Sequence, residues 1–285
     1  MTTGRGQTPA AFAYERRITM FVDFLGFKDL VEQSETNPSI IAAVHDAVSE
    51  VRSTMDSEGL LDSEVVTQFS DCLIVSVRAD EASSVFHKVN ALRMIVVDLA
   101  DRGFLLRGGM TVGQLYHTDE LVMGPAMNEA YRLESTEAIS PRVIIDPGVI
   151  EAARAAPREG HRPDQEARYT LGFLNKDDDG WLYVDYVGIV PIQNLGIAAD
   201  GYPPYLHKLI QKTLDGLRHE DGQVRRKYEW LDRRIGAEID RLTAIGEISE
   251  RRATSPEFYE AVDEIAASYE AAKDAMAVQA FSEVE

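Results

Sequence analysis

The chain has 285 residues, with 48 Asp and Glu against 29 Lys and Arg, a formal net charge of −19. That balance excludes a broad basic surface for nucleic acid, which needs clustered Lys and Arg, and adsorption to anionic lipid. Hydrophobic residues make up 45% of the chain, enough for a buried core, and the single cysteine, Cys72, leaves no intrachain disulfide and no thiolate metal cage.

Residues 1–15 read as a flexible lead. The start is polar and unlike a signal peptide, and no run reaches the roughly 18–20 apolar residues of a membrane helix. A cytoplasmic protein is expected. Ile18 to Phe24 predicts a strand ended by Gly26. Pro38-Ser39 opens a helix with Ile40, Ile41, Val44, Val48 and Val51 at helical spacing. Glu64 to Phe69 and Cys72 to Val77 are apolar runs separated by Ser70-Asp71, which is hairpin punctuation. Val85 to Leu99 predicts a helix and Phe104 to Val112 a strand. Met123 to Thr136 predicts a helix entered through Gly124-Pro125, since proline suits a first turn. Arg142 to Ile145 is a short strand, Ala155 to Arg168 reads as a loop, and Trp181 to Ile189 as a late strand. This order predicts an α/β (α+β) sandwich, with a mostly antiparallel sheet flanked by helices.

After Pro203-Pro204 the texture changes. Val224, Tyr228, Leu231, Ile235, Ile239, Leu242 and Ile245 step by threes and fours, as do Phe258, Val262, Ile265, Tyr269, Ala272 and Met276. The expected organisation is a main domain over 16–200 and, over 205–285, an extension of two amphipathic helices around a polar loop at Glu250 to Ser255. The acidity is uneven: residues 1–204 carry a net of −14 and residues 205–285 a net of −5.

Three constellations carry chemistry. Asp23 ends an apolar strand, where a carboxylate needs a cation or hydrogen-bond donors, and Asp71 sits at the hairpin tip. Converging, they make an oxygen-rich site for Mg²⁺ or Mn²⁺; apart, Asp71 is turn chemistry and Asp23 a helix cap. Asn128 and Arg132, four residues apart, share a helix face. They suit a ribose and a phosphate, or else a solvated face with Arg132 paired to Asn128 or Glu129. In Leu106-Arg107-Gly108-Gly109, the glycines mark close backbone approach, and Arg107 reaches a phosphate or neutralises a buried aspartate. A P-loop, a zinc-spaced histidine set and a nucleophile elbow are all missing. Cys72, beside Asp71, reads as a packed thiol rather than a thiolate.

Together the segments Phe21-Val22-Asp23-Phe24-Leu25-Gly26-Phe27, Phe69-Ser70-Asp71, Leu106 to Gly113 and Gly124 to Leu133 resemble the class III nucleotide cyclases, over about residues 17–190. The resemblance implies two divalent ions per site, Mn²⁺ or Mg²⁺, on Asp23 and Asp71. It implies that Asn128 and Arg132 orient ribose and stabilise the reacting phosphate. Phe24, Leu25, Gly26 and Phe27, with Lys28 behind them, would cradle the outer phosphates at a helix start, and Arg107 would add a cation. It further implies a homodimer with composite sites, each taking its aspartates from one protomer and its Asn/Arg pair from the other.

Thr67 and Leu121 stand where adenylate cyclases of the family read adenine with a charged pair, so another base is expected. Together with the helical extension, this is most similar to the bacterial pyrimidine cyclases of Pycsar antiphage defence. That subgroup implies conversion of UTP or CTP to a cyclic mononucleotide, read by a separate effector. The alternatives are an adenylate or guanylate cyclase with an atypical base pocket, and a non-catalytic nucleotide-binding module.

Overall fold

The computed structural model describes residues 12–55 and 60–282. Most of the lead expected over 1–15 lies outside the described residues.

The first half runs β1 (Glu15–Phe24), α1 (Phe27–Ser34), α2 (Ser39–Met55), β2 (Val65–Phe69), β3 (Cys72–Arg78), α3 (Ser84–Asp101), β4 (Leu106–His117), β5 (Val122–Met123) and α4 (Pro125–Arg132). It continues with β6 (Val143–Ile145), α5 (Pro147–Ala155), α6 (Pro163–Leu171), β7 (Leu174–Lys176), β8 (Leu182–Val184) and α7 (Ile189–Gln193). Four helices close the chain: α8 (Tyr202–Leu217), α9 (Gly222–Thr243), α10 (Ile245–Thr254) and α11 (Pro256–Ser282). The strand order is β2-β3-β1-β4-β6-β8-β7, with β5 paired to β4. Among the described residues only the β4–β6 pair is parallel, which gives a mixed α+β fold with a mostly antiparallel sheet between helices.

β1 is an interior strand between β3 and β4, and its alternation sorts the two faces. Ile18, Met20 and Val22 point to the main core, where Val85, Val89, Leu92, Val96 and Leu99 of α3 are buried. Phe21 points to the other face and packs with Ile74, Ala130 and Met127 beneath α4. Gly109 sets how closely α4 approaches, because a Cβ there would lie 2.5 Å from Leu133 Cβ and 2.9 Å from the Ala130 carbonyl oxygen.

Several expectations are corrected. The helix expected over Met123 to Thr136 starts at Pro125, and after Arg132 it widens into a π turn over Leu133–Glu137. The late strand ends at Val184, because Asp185 Oδ1 accepts from the Val187 and Gly188 amides and turns the chain into α7. The loop expected over Ala155 to Arg168 contains α6, whose buried Glu166 bonds to Ser83 and His161. The polar loop expected near Glu250 is largely the helix α10. The two expected C-terminal helices are α9 and α11, accompanied by α8 and α10, and Leu206, Leu209, Leu231 and Ile235 of α8 and α9 belong to the same core as the sheet. No helix among the described residues is long and apolar enough to cross a membrane.

Candidate active site

The sheet register brings the two aspartates together. Val22 pairs with Leu73, so Asp23 leaves the pairing beside the β2–β3 turn. Ser70 adopts a left-handed φ of 55° in that turn, just before Asp71. One ligand atom each from Asp23, Asp71 and Cys72 lie within 4.8 Å of one another. Burial, and then the Asp71 carboxylate, push the Asp23 carboxyl up to about 7 from its usual 3.8. Asp23 Oδ1 is buried with no hydrogen-bond donor among the described residues. Burial and the surrounding acids push the Cys72 thiol up to about 12. The thiol stays protonated, so the strong donors are carboxylate oxygens. That set, with one orphaned oxygen, fits a hard divalent cation rather than a soft one.

Arg107 pairs directly opposite Asp23 across β1–β4. Its guanidinium lies 3.1 Å from Asp23 Oδ2 and 2.5 Å from Glu134 Oε1. Of the two roles open to it, the structure occupies Arg107 with carboxylates. Glu134 was not singled out from the sequence, although Ala126, Ala130, Leu133 and Glu134 form one buried stripe. A glutamate on an apolar stripe was the available signal. Burial raises its carboxyl above the usual range despite Arg107.

Lys227 of α9 is a second residue that sequence reasoning missed. It is half-buried, and its charge interacts with Arg107, Asp23 and Glu134, with burial the main cause of its lowered pKa. The extension also meets α1, where His219 Nε2 lies 3.8 Å from Asp29 Oδ2.

Phe24 and Leu25 are buried. Gly26 takes a left-handed φ of 78° at the start of α1, where no side chain caps the first turn. Phe27 packs against the core, and Lys28 is exposed, 3.5 Å from Glu32. Asn128 is exposed on α4. Arg132 is exposed too, and its guanidinium bonds Glu129 at 2.9 Å and Glu137 at 2.7 Å. The π turn makes the second of these pairs possible by bringing the fifth residue on under the arginine. Those two hydrogen bonds hold the Arg132 pKa above its usual value. Among the described residues no hydrogen bond or ion pair joins Asn128 or Arg132 to Asp23, Asp71 or Arg107.

Thr67 bonds His117 Nε2 at 3.0 Å. Leu121 is 49% exposed in the turn that follows His117. Phe69 (78%), Tyr131 (54%) and Met123 are exposed as well. Phe12, Tyr14, Tyr116, Leu121 and Met123 line a groove of about 290 Å³.

No family model matches the chain, and no curated relative does. Solved structures give similarities at low identity. A bacterial light-regulated adenylyl cyclase is 16% identical with a TM-score of 0.40, covering 51% of this chain. This chain spans 47% of that one. An adenylyl cyclase from P. aeruginosa is 17% identical with a TM-score of 0.36, covering 50% of this chain and 81% of its own. The catalytic core of a rhodopsin-guanylyl cyclase with converted specificity, in complex with ATPαS, is 15% identical with a TM-score of 0.39, covering 60% and 95%.

Proposed function

We propose that this chain is a nucleotide cyclase that works as a homodimer and converts UTP, or CTP, to the 3′,5′-cyclic mononucleotide and pyrophosphate. The observation that carries the reading is the meeting of Asp23 and Asp71, with an Asp23 oxygen buried and unpartnered. Asp23 and Asp71 would hold a divalent ion there, which would supply acidification of the substrate 3′-hydroxyl and charge balance for the leaving pyrophosphate. Asp23 and Asp71 hold the ion site, and Arg107 balances the charge of Asp23 and Glu134. Phe24 to Phe27 place an uncapped helix start beside the outer phosphates, with Lys28 at its edge.

Asn128 orients the ribose, and Arg132 exchanges Glu129 and Glu137 for the α-phosphate as charge develops there. Neither residue bonds the aspartates of its own protomer, and the large apolar side chains of Tyr131, Leu121 and Phe69 are exposed. Both facts support a site completed by a second copy. Thr67 and Leu121 offer the base no charged group, which supports a pyrimidine over adenine. The cyclic product would serve as a second messenger for a separate effector in antiphage defence.

The test is incubation of the protein with Mn²⁺ and each ribonucleoside triphosphate, with products identified by mass. A cyclic pyrimidine nucleotide is expected. Product from ATP or GTP alone would overturn the pyrimidine assignment, and no product from any would leave a nucleotide-binding module. Asp71→Ala and Arg132→Ala, each inactive alone, should regain partial activity when mixed. Failure to complement would exclude a shared site.

A further inference from the structure

A chain of four buried or half-buried side chains crosses the sheet from Arg17 to Thr67. Arg17 Nε donates to Ser76 Oγ at 2.8 Å. Ser76 Oγ and His117 Nδ1 lie 2.7 Å apart, and His117 Nε2 and Thr67 Oγ1 3.0 Å apart. Arg17, Ser76 and His117 are all buried, and Thr67 is half-buried on the edge strand β2.

The direction of this chain is fixed by its arginine end. A guanidinium only donates, so Ser76 Oγ accepts from it. The Ser76 hydroxyl hydrogen then needs an acceptor, and among the described residues the partner in reach is His117 Nδ1. Burial, and then Arg17, hold the His117 pKa down at about 4, so the ring is neutral and carries one N–H. With Nδ1 accepting, that N–H is on Nε2, and it donates to Thr67 Oγ1. Thr67 therefore accepts from within, and its own O–H points its hydrogen away from the relay.

We infer that the Arg17–Ser76–His117–Thr67 relay presets Thr67 as a hydrogen-bond donor to the substrate base, and so selects a carbonyl acceptor, the O4 of uracil, over the exocyclic amine of cytosine. The inference rests on the proposed cyclase reading, in which Thr67 faces the base. It goes further by choosing between the two pyrimidines. An amine in that place could reach only the remaining lone pair of Thr67 Oγ1 and would leave the hydroxyl hydrogen unpaired, the kind of loss that gives polar sites their selectivity. His117 also opens the turn carrying Leu121, through the Thr118 amide bond to the Leu121 carbonyl at 2.9 Å. The residue that bonds Thr67 thus lies at the start of the turn that carries Leu121.

The test has two arms. In the full chain labelled with ¹⁵N-histidine, long-range ¹H–¹⁵N correlation at pH 7 should show His117 as the neutral Nε2–H tautomer; an Nδ1–H tautomer or a charged ring overturns the relay whatever the activity. Wild-type turnover should favour UTP over CTP in kcat/KM, and Thr67→Val should lower that preference about tenfold, mainly through UTP, while Thr67→Ser retains it. Equal loss on both substrates, or no change, overturns the inference and leaves the cyclase reading standing. Absence of product from the wild type removes the cyclase reading and the base selection with it. If Thr67→Val does not fold, the tautomer decides.

Discussion

Two clusters in this fold each set one arginine between two carboxylates, and they are built to opposite ends. At Arg142 the acids are Asp177 and Asp179, and donors are plentiful. Trp230 Nε1 reaches Asp177 at 2.5 Å, the Asp178 amide reaches it at 2.9 Å, and the Trp181 amide reaches Asp179 at 3.1 Å. Burial opposes the charge on Asp179, yet the Arg142 hydrogen bond and the Trp181 amide hold its carboxyl below the usual range. At Arg107 the acids are Asp23 and Glu134, with Asp71 close by, and both Asp23 and Glu134 are raised. Asp23 Oδ1 has no donor among the described residues. The carboxylates of the first cluster are satisfied by the chain itself. The second is short of positive charge, a shortage that protons or a divalent cation would make good.

Breaking the satisfied cluster should have the largest effect. Arg142→Ala strands two carboxylates, one buried and one on the rim, and should destabilise the fold by about 3–5 kcal/mol in denaturant unfolding. Arg107→Ala should cost less, because Asp23 and Glu134 can take up protons instead. Mn²⁺ at about 100 times its Kd should stabilise the wild type by about 2.7 kcal/mol, read as a rise in Tm. Asp71→Ala should lose that rise, and an unchanged rise would place the ion elsewhere.

A pH effect separates the clusters further. Folded Asp23 keeps its proton up to about 7, whereas the unfolded carboxyl loses it near 3.8. The folded state binds the extra proton between those limits, so without divalent ions stability falls as pH rises through that window. Asp23→Asn should flatten this limb. The smallest effect is expected of Lys227→Met, which removes a cation beside Asp23 and should raise the KM for the triphosphate severalfold with kcat little changed; an unchanged KM would leave Lys227 structural.

What the sequence made legible follows the physics of each element. β1, the β2–β3 hairpin, α3 and β4 announce themselves through apolar runs and turn residues, and the register then carries Asp23 to Asp71 without further information. The short strand β7 and the helix α6 lack such runs, because they are held by polar side chains such as Asn175 and Glu166 that bond to other elements. Glu134 and Lys227 stayed hidden for a related reason. Their significance lies in facing Arg107 from two other elements, and periodicity says nothing about which charges will meet. Arg132 was legible as a cation on a helix face, but its second carboxylate depends on a π turn that no local pattern announced.

Gly109 has a consequence for tolerance to change. The nearest atoms to its missing side chain belong to Leu133 and Ala130, so it acts as a spacer of zero thickness between β4 and α4. Substitution by alanine would act like a shim under the helix that carries Asn128 and Arg132. A displacement on the order of 1 Å is enough to lower a positioned reaction about a hundredfold. The catalytic alignment of the proposed site would then depend on the smallest residue in the sheet, which touches no ligand and carries no charge.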